Sequence, residues 1–369
     1  MLDVRTLATT LLLGAVVLAG CSGPADGAGS QSAAPKSAAA STLADRTRAV
    51  AEIARADVAA GVVPGATVVL ADDSGEQTLA FGVSDSSHGT PMRGADRFRI
   101  ASITKSMTAA LVLQLADDGL LHLDDTAESW LPGLLPNGDE ITLAQLLGHV
   151  SGLPEADDGP FVGTHGVTGE DVLRTIADEP VEAPPGELLA YRNVNFVALG
   201  MVAERATGRP LSRLLRDRLF DPLGMTTARL AREGHPGPHL VHAYEGGEDV
   251  TDLDVYWAQG AGGVTATAND VSRFYRGLFG GAVVPNTRLA DMMAARDDDI
   301  LGWNGYGLGL AAIETDCGTA LGHGGRLPGI STEAWTIRAT GRSVVIFANA
   351  DGRSTQGTLD SIREAALCD

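Results

Sequence analysis

Ser102 stands three residues before Lys105 in Ser102-Ile103-Thr104-Lys105. Positions i and i+3 of a helix share a face within side-chain reach, so this hydroxyl and amine can exchange a proton, and a serine with a base beside it is a nucleophile for acyl transfer. The lysine is unusual here. The chain has only two, Lys36 and Lys105, and every other fixed cation is arginine. Arginine cannot be deprotonated in a protein, whereas a desolvated lysine readily loses its proton. A GC-biased coding preference would also leave few lysines, and Ser-x-x-Lys alone is a weak signal. A helix beginning at Ile103 would put Ser102 at the positive end of the helix dipole, which favours a developing alkoxide or oxyanion.

Two later motifs add weight. Ser102-Ile103-Thr104-Lys105 is followed in order by Tyr191-Arg192-Asn193 and His323-Gly324-Gly325, the layout of Ser-x-x-Lys, a polar motif and a third strand motif in penicillin-recognising enzymes. On these motifs the sequence resembles the D-alanyl-D-alanine carboxypeptidase and class C β-lactamase superfamily. It looks most like the secreted actinobacterial carboxypeptidases with His in place of the third-motif Lys. The likeness runs from about Ala51 to Cys368 and includes Leu131 to Leu135, Leu147 to Leu153, Tyr191 to Gly200, Trp257 to Val264 and Tyr306 to Leu310.

The resemblance implies Ser102 as nucleophile, Lys105 as its proton partner, Tyr191 as second acid and base, and Asn193 as the group that orients Lys105 and the substrate amide. Lys105 and His323 would be the cations holding Tyr191 as phenolate, since a phenol near pKa 10 is otherwise a poor base. The backbone N–H groups of Ser102 and Arg326 would form an oxyanion hole. Trp257, Gly324, Gly325 and Arg326 would border the substrate. Each residue singly has a plainer reading: core aromatics for Tyr191 and Trp257, a helix cap for Asn193, a strand histidine for His323.

The chain also departs from the family pattern. Gly324 replaces a hydroxyl residue, Arg326 a frequent Thr, and Ala311 follows Tyr306-Gly307-Leu308-Gly309-Leu310 where the nearest carboxypeptidases carry Arg. The usual grip on a substrate carboxylate is therefore altered, and Arg326 is the candidate to take it over. His149 reads as a structural loop residue. His235, His239 and His242 lie around Pro236 and Pro238 with no acidic partner at ligand spacing, so no metal is expected, nor any cofactor. The absence of a Gly-x-Ser-x-Gly elbow argues against an α/β-hydrolase.

The elements that must position these residues are legible as periodicities. Thr42 to Ala60 has helical spacing, then Ala66 to Leu70 and Gln77 to Phe81 read as two strands around the Asp72-Asp73-Ser74-Gly75 turn. Ile103 to Ala116 reads as a helix stopped by Gly119. From 120 to 260 the pattern is helical with Pro and Gly breaks: Leu143 to Leu147, Glu170 to Ala177, Val194 to Ala206 and Pro210 to Leu219. Asp270 to Leu278 is a further helix, Tyr306 to Ile313, Glu333 to Arg338 and Val344 to Asn349 read as strands, and Thr355 to Leu367 closes the chain as a helix. The expected fold is α/β (α+β): one antiparallel sheet from both ends of the chain, flanked by helices, with an inserted all-helical domain. The hydrolase domain would span 42–369, its α/β part 42–119 and 261–369 and its helical insertion 120–260.

Ahead of it, residues 1–20 hold Arg5 and an apolar stretch from Leu11 to Gly20 too short for a span of about 20 residues. This predicts a signal peptide ending in Leu18-Ala19-Gly20-Cys21, which resembles a lipobox with Cys21 as lipidation site, with an uncleaved anchor as the alternative because Asp3 is unusual in a region that should be positive. Residues 21–41, poor in large apolar side chains, read as a tether. Cys317 and Cys368 then remain, and an oxidising compartment makes one disulfide a reasonable pairing, with two separate thiols as the alternative. The net charge of -20 repels nucleic acid. The protein expected is an exported, monomeric serine hydrolase tied by lipid to the outer face of the cell membrane. Its substrates would be D-Ala-D-Ala peptidoglycan stems, β-lactams or esters. The alternative from another class is a lipoprotein that binds wall peptides or acylates once without turning over.

Overall fold

The computed structural model describes residues 41–157, 159–231, 239–296 and 298–368. Cys21, the expected signal and tether, and His235 lie outside the described residues.

The first helix, Leu43–Ala59, starts at Thr42, which accepts from the Asp45 N–H while the Asp45 carboxylate accepts from Thr42 in return. This reciprocal cap satisfies donors that a helix start leaves orphaned. Two strands follow, Gly65–Asp72 and Gly75–Asp85, and the sheet is completed from the far end of the sequence. Its spatial order is Thr90–Pro91, Gly75–Asp85, Gly65–Asp72, Arg342–Ala348, Ile330–Ile337, Gly318–Leu327, Ala311–Thr315 and Gly305–Tyr306, with every pairing antiparallel. The N-terminal and C-terminal halves meet where Val68 stands opposite Ile346.

Side chains alternate across this sheet with the strand period of two. Val68, Leu70, Trp335, Val344 and Ile346 face Val50 and Ala54 of the first helix and Leu359 and Ile362 of the closing helix Arg353–Leu367. Val69, Ala334, Val345 and Phe347 face the opposite layer, with Met107, Leu111 and Phe274. Ile330–Ile337 is buried at every residue, as a strand covered on both faces must be.

The second layer carries Ile103–Asp117, whose residues from Ile103 to Leu113 are all buried. A helix apolar around its whole circumference belongs in a core, and this one runs between the sheet and the helix Asn193–Thr207. Gly119 follows it with φ of 72°. A small sheet of Phe98–Arg99, Val264–Ala266 and Arg229–Leu230 sets the entry to this helix.

Three readings of the sequence needed correction. Tyr306 to Ile313 is two strands, Gly305–Tyr306 and Ala311–Thr315, parted by a turn in which the Gly307 N–H donates to Leu310 O (2.8 Å) and Gly309 has φ of 78°. The middle of the chain is not wholly helical, because Arg229–Leu230, Tyr244–Glu245 and Glu248–Asp249 are short strands. Pro210 to Leu219 begins as the α-helix Leu211–Leu215 but continues as a wider π turn over Arg216–Phe220. Cys317 and Cys368 are joined in a disulfide with Cα atoms 5.4 Å apart. It ties the hairpin that leads into Gly318–Leu327 to the end of the closing helix.

Candidate active site

Ser102 is the N-cap of Ile103–Asp117, yet its side chain makes no capping bond and its backbone is helical, φ -65° and ψ -9°. An ordinary N-cap serine has extended backbone and spends its oxygen on the N2 or N3 N–H. Here that oxygen is left for chemistry. The preceding Ala101 takes φ of 49°, a left-handed conformation that costs a non-glycine residue roughly 1–2 kcal/mol. The turn is anchored by the Ile100 N–H donating to Val264 O (3.0 Å) and by Thr332 Oγ1 donating to Ile100 O (3.0 Å). Gly325 lies against the same turn: a Cβ there would stand 2.9 Å from Ala101 Cβ and 2.8 Å from Ile100 O, so the strand of His323-Gly324-Gly325 can approach the Ser102 turn only through a glycine.

Lys105 is completely buried, and its Nζ has three neighbours: Ser102 Oγ at 2.9 Å, Asn193 Oδ1 at 2.8 Å and Ala261 O at 2.8 Å. The two carbonyl oxygens can only accept, so they hold two N–H groups. The third direction points at the serine. Burial pulls the Lys105 amine down to about 7, opposed by the charge of Glu155. In the neutral amine, the lone pair then faces the Ser102 hydroxyl.

Tyr191 lies against this lysine, with Nζ 4.8 Å from its ring centroid. Its hydroxyl is buried and has no hydrogen-bond partner among the described residues. Burial pushes the phenol far above its ordinary value, the nearby Ser102 hydroxyl acting in the opposite direction. The expected help from His323 is not available. The His323 Nδ1 donates to its neighbour's carbonyl, Gly324 O (2.5 Å), so Nε2 is the acceptor for the Tyr306 hydroxyl at 3.0 Å. Burial and the charge of Lys105 lower this ring to about 3, and a neutral imidazole cannot hold a phenolate. Burial thus favours the protonated phenol of Tyr191.

Beneath Tyr191, His149 is also buried, its centroid 4.4 Å from the tyrosine ring and 4.7 Å from Tyr306. Its Nδ1 accepts from the Arg192 N–H and from Asn195 Nδ2. His149 thus belongs to the ring stack on which Tyr191 rests.

Ser102, Tyr191, Asn193, Trp257, Gly324, Gly325 and Arg326 line a common cleft of about 600 Å³. Lys105 lies beneath its floor and His323 behind its wall. Trp257 is buried with an Nε1 that has no partner among the described residues. The Arg326 guanidinium donates to Gln356 Oε1 at 3.2 Å.

Two residues escaped the sequence reading. Glu155 accepts from the Asn193 N–H at 2.5 Å, although its loop is exposed; a lone carboxylate after Leu153-Pro154 carries no signal of its own. Trp303 packs on His323 and Tyr191 with centroids 4.9 and 5.7 Å away. Its flanking Gly302 and Asn304 marked only a turn. Among the described histidines, His242 does have acidic neighbours, Asp249 at 2.7 Å and Asp85 at 3.7 Å, contrary to the sequence expectation, and its Nδ1 is within hydrogen-bond distance of Asp249.

The model of the family described as "Beta-lactamase" matches residues 50–367. The chain belongs to the Beta-lactamase family. Among its relatives, penicillin-binding protein 4 of Amycolatopsis lactamdurans is 30% identical over 328 residues, covering 82% of this chain and 84% of that one. The D-amino acid amidase of Ochrobactrum anthropi superposes with a TM-score of 0.81 at 27% identity, covering 87% of this chain and 98% of the amidase. A D-stereospecific amidohydrolase from Streptomyces gives a TM-score of 0.76 at 32% identity, with coverage of 87% and 98%. The Beta-lactamase fold, its antiparallel sheet flanked by helices, is thus the fold of this chain. A buried lysine against a cap-free serine is what a serine hydrolase of the Beta-lactamase family needs.

Proposed function

We propose that this serine hydrolase forms an acyl-enzyme at Ser102 from D-configured amino-acid amides or short peptides, with esters as further acyl donors. The observation that carries the reading is the set of three oxygens around Lys105 Nζ, which leaves one direction for a lone pair and aims it at Ser102 Oγ. Neutral Lys105 takes the serine proton as Oγ bonds to the substrate carbonyl carbon. The N–H groups of Ser102 and Arg326 receive the oxyanion. On collapse the C–N or C–O bond breaks, the leaving group takes the Tyr191 proton, and the proton on Lys105 restores the tyrosine. Water then repeats the sequence on the acyl-enzyme, releasing the acid.

Substrate shape supports the amide reading. Pairing of Ala311–Thr315 with Gly318–Leu327 ends at Ala311 opposite Gly322. The strand from His323 to Leu327 therefore presents a free edge where an extended amide backbone can add. The unpartnered Tyr191 hydroxyl and Trp257 indole N–H are two further groups that a substrate would satisfy. The amidase and amidohydrolase likenesses agree with this class. Export with lipid attachment at Cys21 is the accompanying proposal, resting on Leu18-Ala19-Gly20-Cys21.

The test is turnover of D-amino acid amides, p-nitrophenyl esters and a chromogenic cephalosporin, beside fluorophosphonate labelling of wild type and Ser102→Ala. Hydrolysis and labelling that vanish together in the variant are expected. Labelling without turnover of any of these would favour the single-acylation binder. Fatty-acid incorporation that is lost in Cys21→Ala would support the anchor.

A further inference from the structure

Beside Tyr191, Leu301 and Trp303 form an apolar segment of a cleft whose lining is otherwise mixed. Leu301 lines the cleft, is 68% exposed and has φ of 56°, with Gly302 at φ 79°. The turn is closed from both sides, Ile300 and Trp303 exchanging N–H to O bonds of 3.0 and 2.9 Å, and the Gly302 N–H donates to Asp299 Oδ1 at 3.2 Å. A leucine is disfavoured in left-handed backbone and on an exposed tip. Both costs are borne at a position that overhangs the site.

Trp303, next in the turn, packs edge-on against Tyr191 and near Trp335, centroids 6.3 Å apart. Its Cζ2 lies 3.3 Å from where a Cβ on Gly324 would stand. A hydroxyl side chain at 324 would crowd this indole, so the missing third-motif hydroxyl and the presence of Trp303 go together. Ala311, at the other altered position, is buried and uncharged. Of the charged groups on this side, Glu333, Arg363 and Asp360 are engaged with one another, while Arg326 and Glu314 have neutral partners, Gln356 and Thr319. Glu333 accepts from Arg363, Gln356 and Trp335 Nε1, Arg363 also pairs with Asp360, and Glu314 accepts from Thr319.

Under the proposed mechanism the leaving group is the part that meets the Tyr191 hydroxyl, and Trp303 is the ring that borders Tyr191. We infer that the Leu301–Trp303 turn is the leaving-group subsite and selects a neutral leaving group with a bulky apolar body, an aryl or branched alkyl amine or alcohol, over one bearing a free carboxylate. The inference rests on the hydrolase reading above.

It is tested with benzyl and methyl esters of one D-amino acid and with the dipeptide whose leaving group is D-alanine. Wild type should show kcat/KM at least about tenfold higher for benzyl than for methyl, the scale on which apolar pockets discriminate, with the dipeptide slowest. Leu301→Asn and Leu301→Gly both tolerate the left-handed backbone. Each should cut the benzyl to methyl ratio about five- to tenfold. A ratio unchanged in both variants, or a dipeptide preferred over the benzyl ester, overturns the inference. Fluorophosphonate labelling of Ser102 with a flat leaving-group profile would sink this inference alone; no labelling and no ester turnover would sink the hydrolase reading with it.

Discussion

Asn193 donates its backbone N–H to Glu155 Oε2 at 2.5 Å while its own side chain accepts from Lys105 at 2.8 Å. One residue thus joins a carboxylate at a helix N-terminus to the buried amine. The Glu155 charge favours protonated Lys105, against burial, which lowers it. Glu155→Gln keeps an acceptor for the Asn193 N–H and removes the charge. Lys105 should then lose its proton at lower pH, so the acid limb of the pH profile of kcat/KM moves down in pH with the plateau largely kept. An acid limb that stays in place, or moves up, would show that Glu155 does not set the lysine.

Lys105→Arg preserves a cation of similar length but one that cannot give up its proton. Turnover should fall by about 10² to 10⁴-fold, the usual contribution of a positioned base. In wild type kcat/KM should rise with pH through about 7, where burial places the amine. A variant that stays folded by circular dichroism and retains activity would reassign the base.

The spacing Ser102 to Lys105 was readable because a helix fixes which side chains meet, and the central strands were readable as short apolar runs, since Gly65–Asp72, Ile330–Ile337 and Arg342–Ala348 are covered on both faces. Asn193 as a partner of Lys105 came with the family resemblance, but the other groups that act on this lysine were not legible. Ala261 O is a backbone atom that any side chain would supply, and Glu155 acts from a loop whose path depends on the whole fold. His323 was expected as a cation, whereas burial and the charge of Lys105 favour its neutral ring, and neither is written in its neighbours. The break at Gly309 was missed because the flanking residues alternate as a strand would.

His323 must be neutral in the folded protein, its ring lowered to about 3 by burial, whereas in the unfolded chain it protonates near its ordinary value of about 6.5. Between those limits the unfolded state binds the extra proton, so stability is lost as pH falls, by about 1.4 kcal/mol per pH unit for such a ring. His149, also lowered by burial, adds in the same direction. His323→Gln offers a carbonyl to Tyr306 and an N–H to Gly324 without titrating. Urea denaturation from pH 7 to 4.5 should show a shallower decline for this variant; parallel slopes would mean that His323 is not the sensor.

The Cys317–Cys368 disulfide closes a sequence separation of 51 residues. Chain-entropy reasoning attributes about 2–4 kcal/mol to such a link. Cys317→Ala with Cys368→Ala should lose that much in denaturant unfolding under oxidising conditions, while under reducing conditions wild type and double variant should converge. No difference in either condition would mean that the bridge is energetically idle.

Arg326 separates two views of how the substrate is held. If its guanidinium gripped a substrate carboxylate, Arg326→Ala would penalise acid substrates and spare their amides. The side chain is instead bonded to Gln356 on the closing helix, and the oxyanion hole needs only the backbone N–H of residue 326, which alanine retains. With the leaving group seated on Leu301 and Trp303, loss of the guanidinium should change kcat/KM by less than about twofold for matched acid and amide substrates alike, the range of an ordinary exposed substitution. A selective loss of tenfold or more for the acid, about the scale of a hydrogen bond to a charged group, would show that Arg326 has taken over the missing carboxylate grip, and would return the enzyme to carboxypeptidase action.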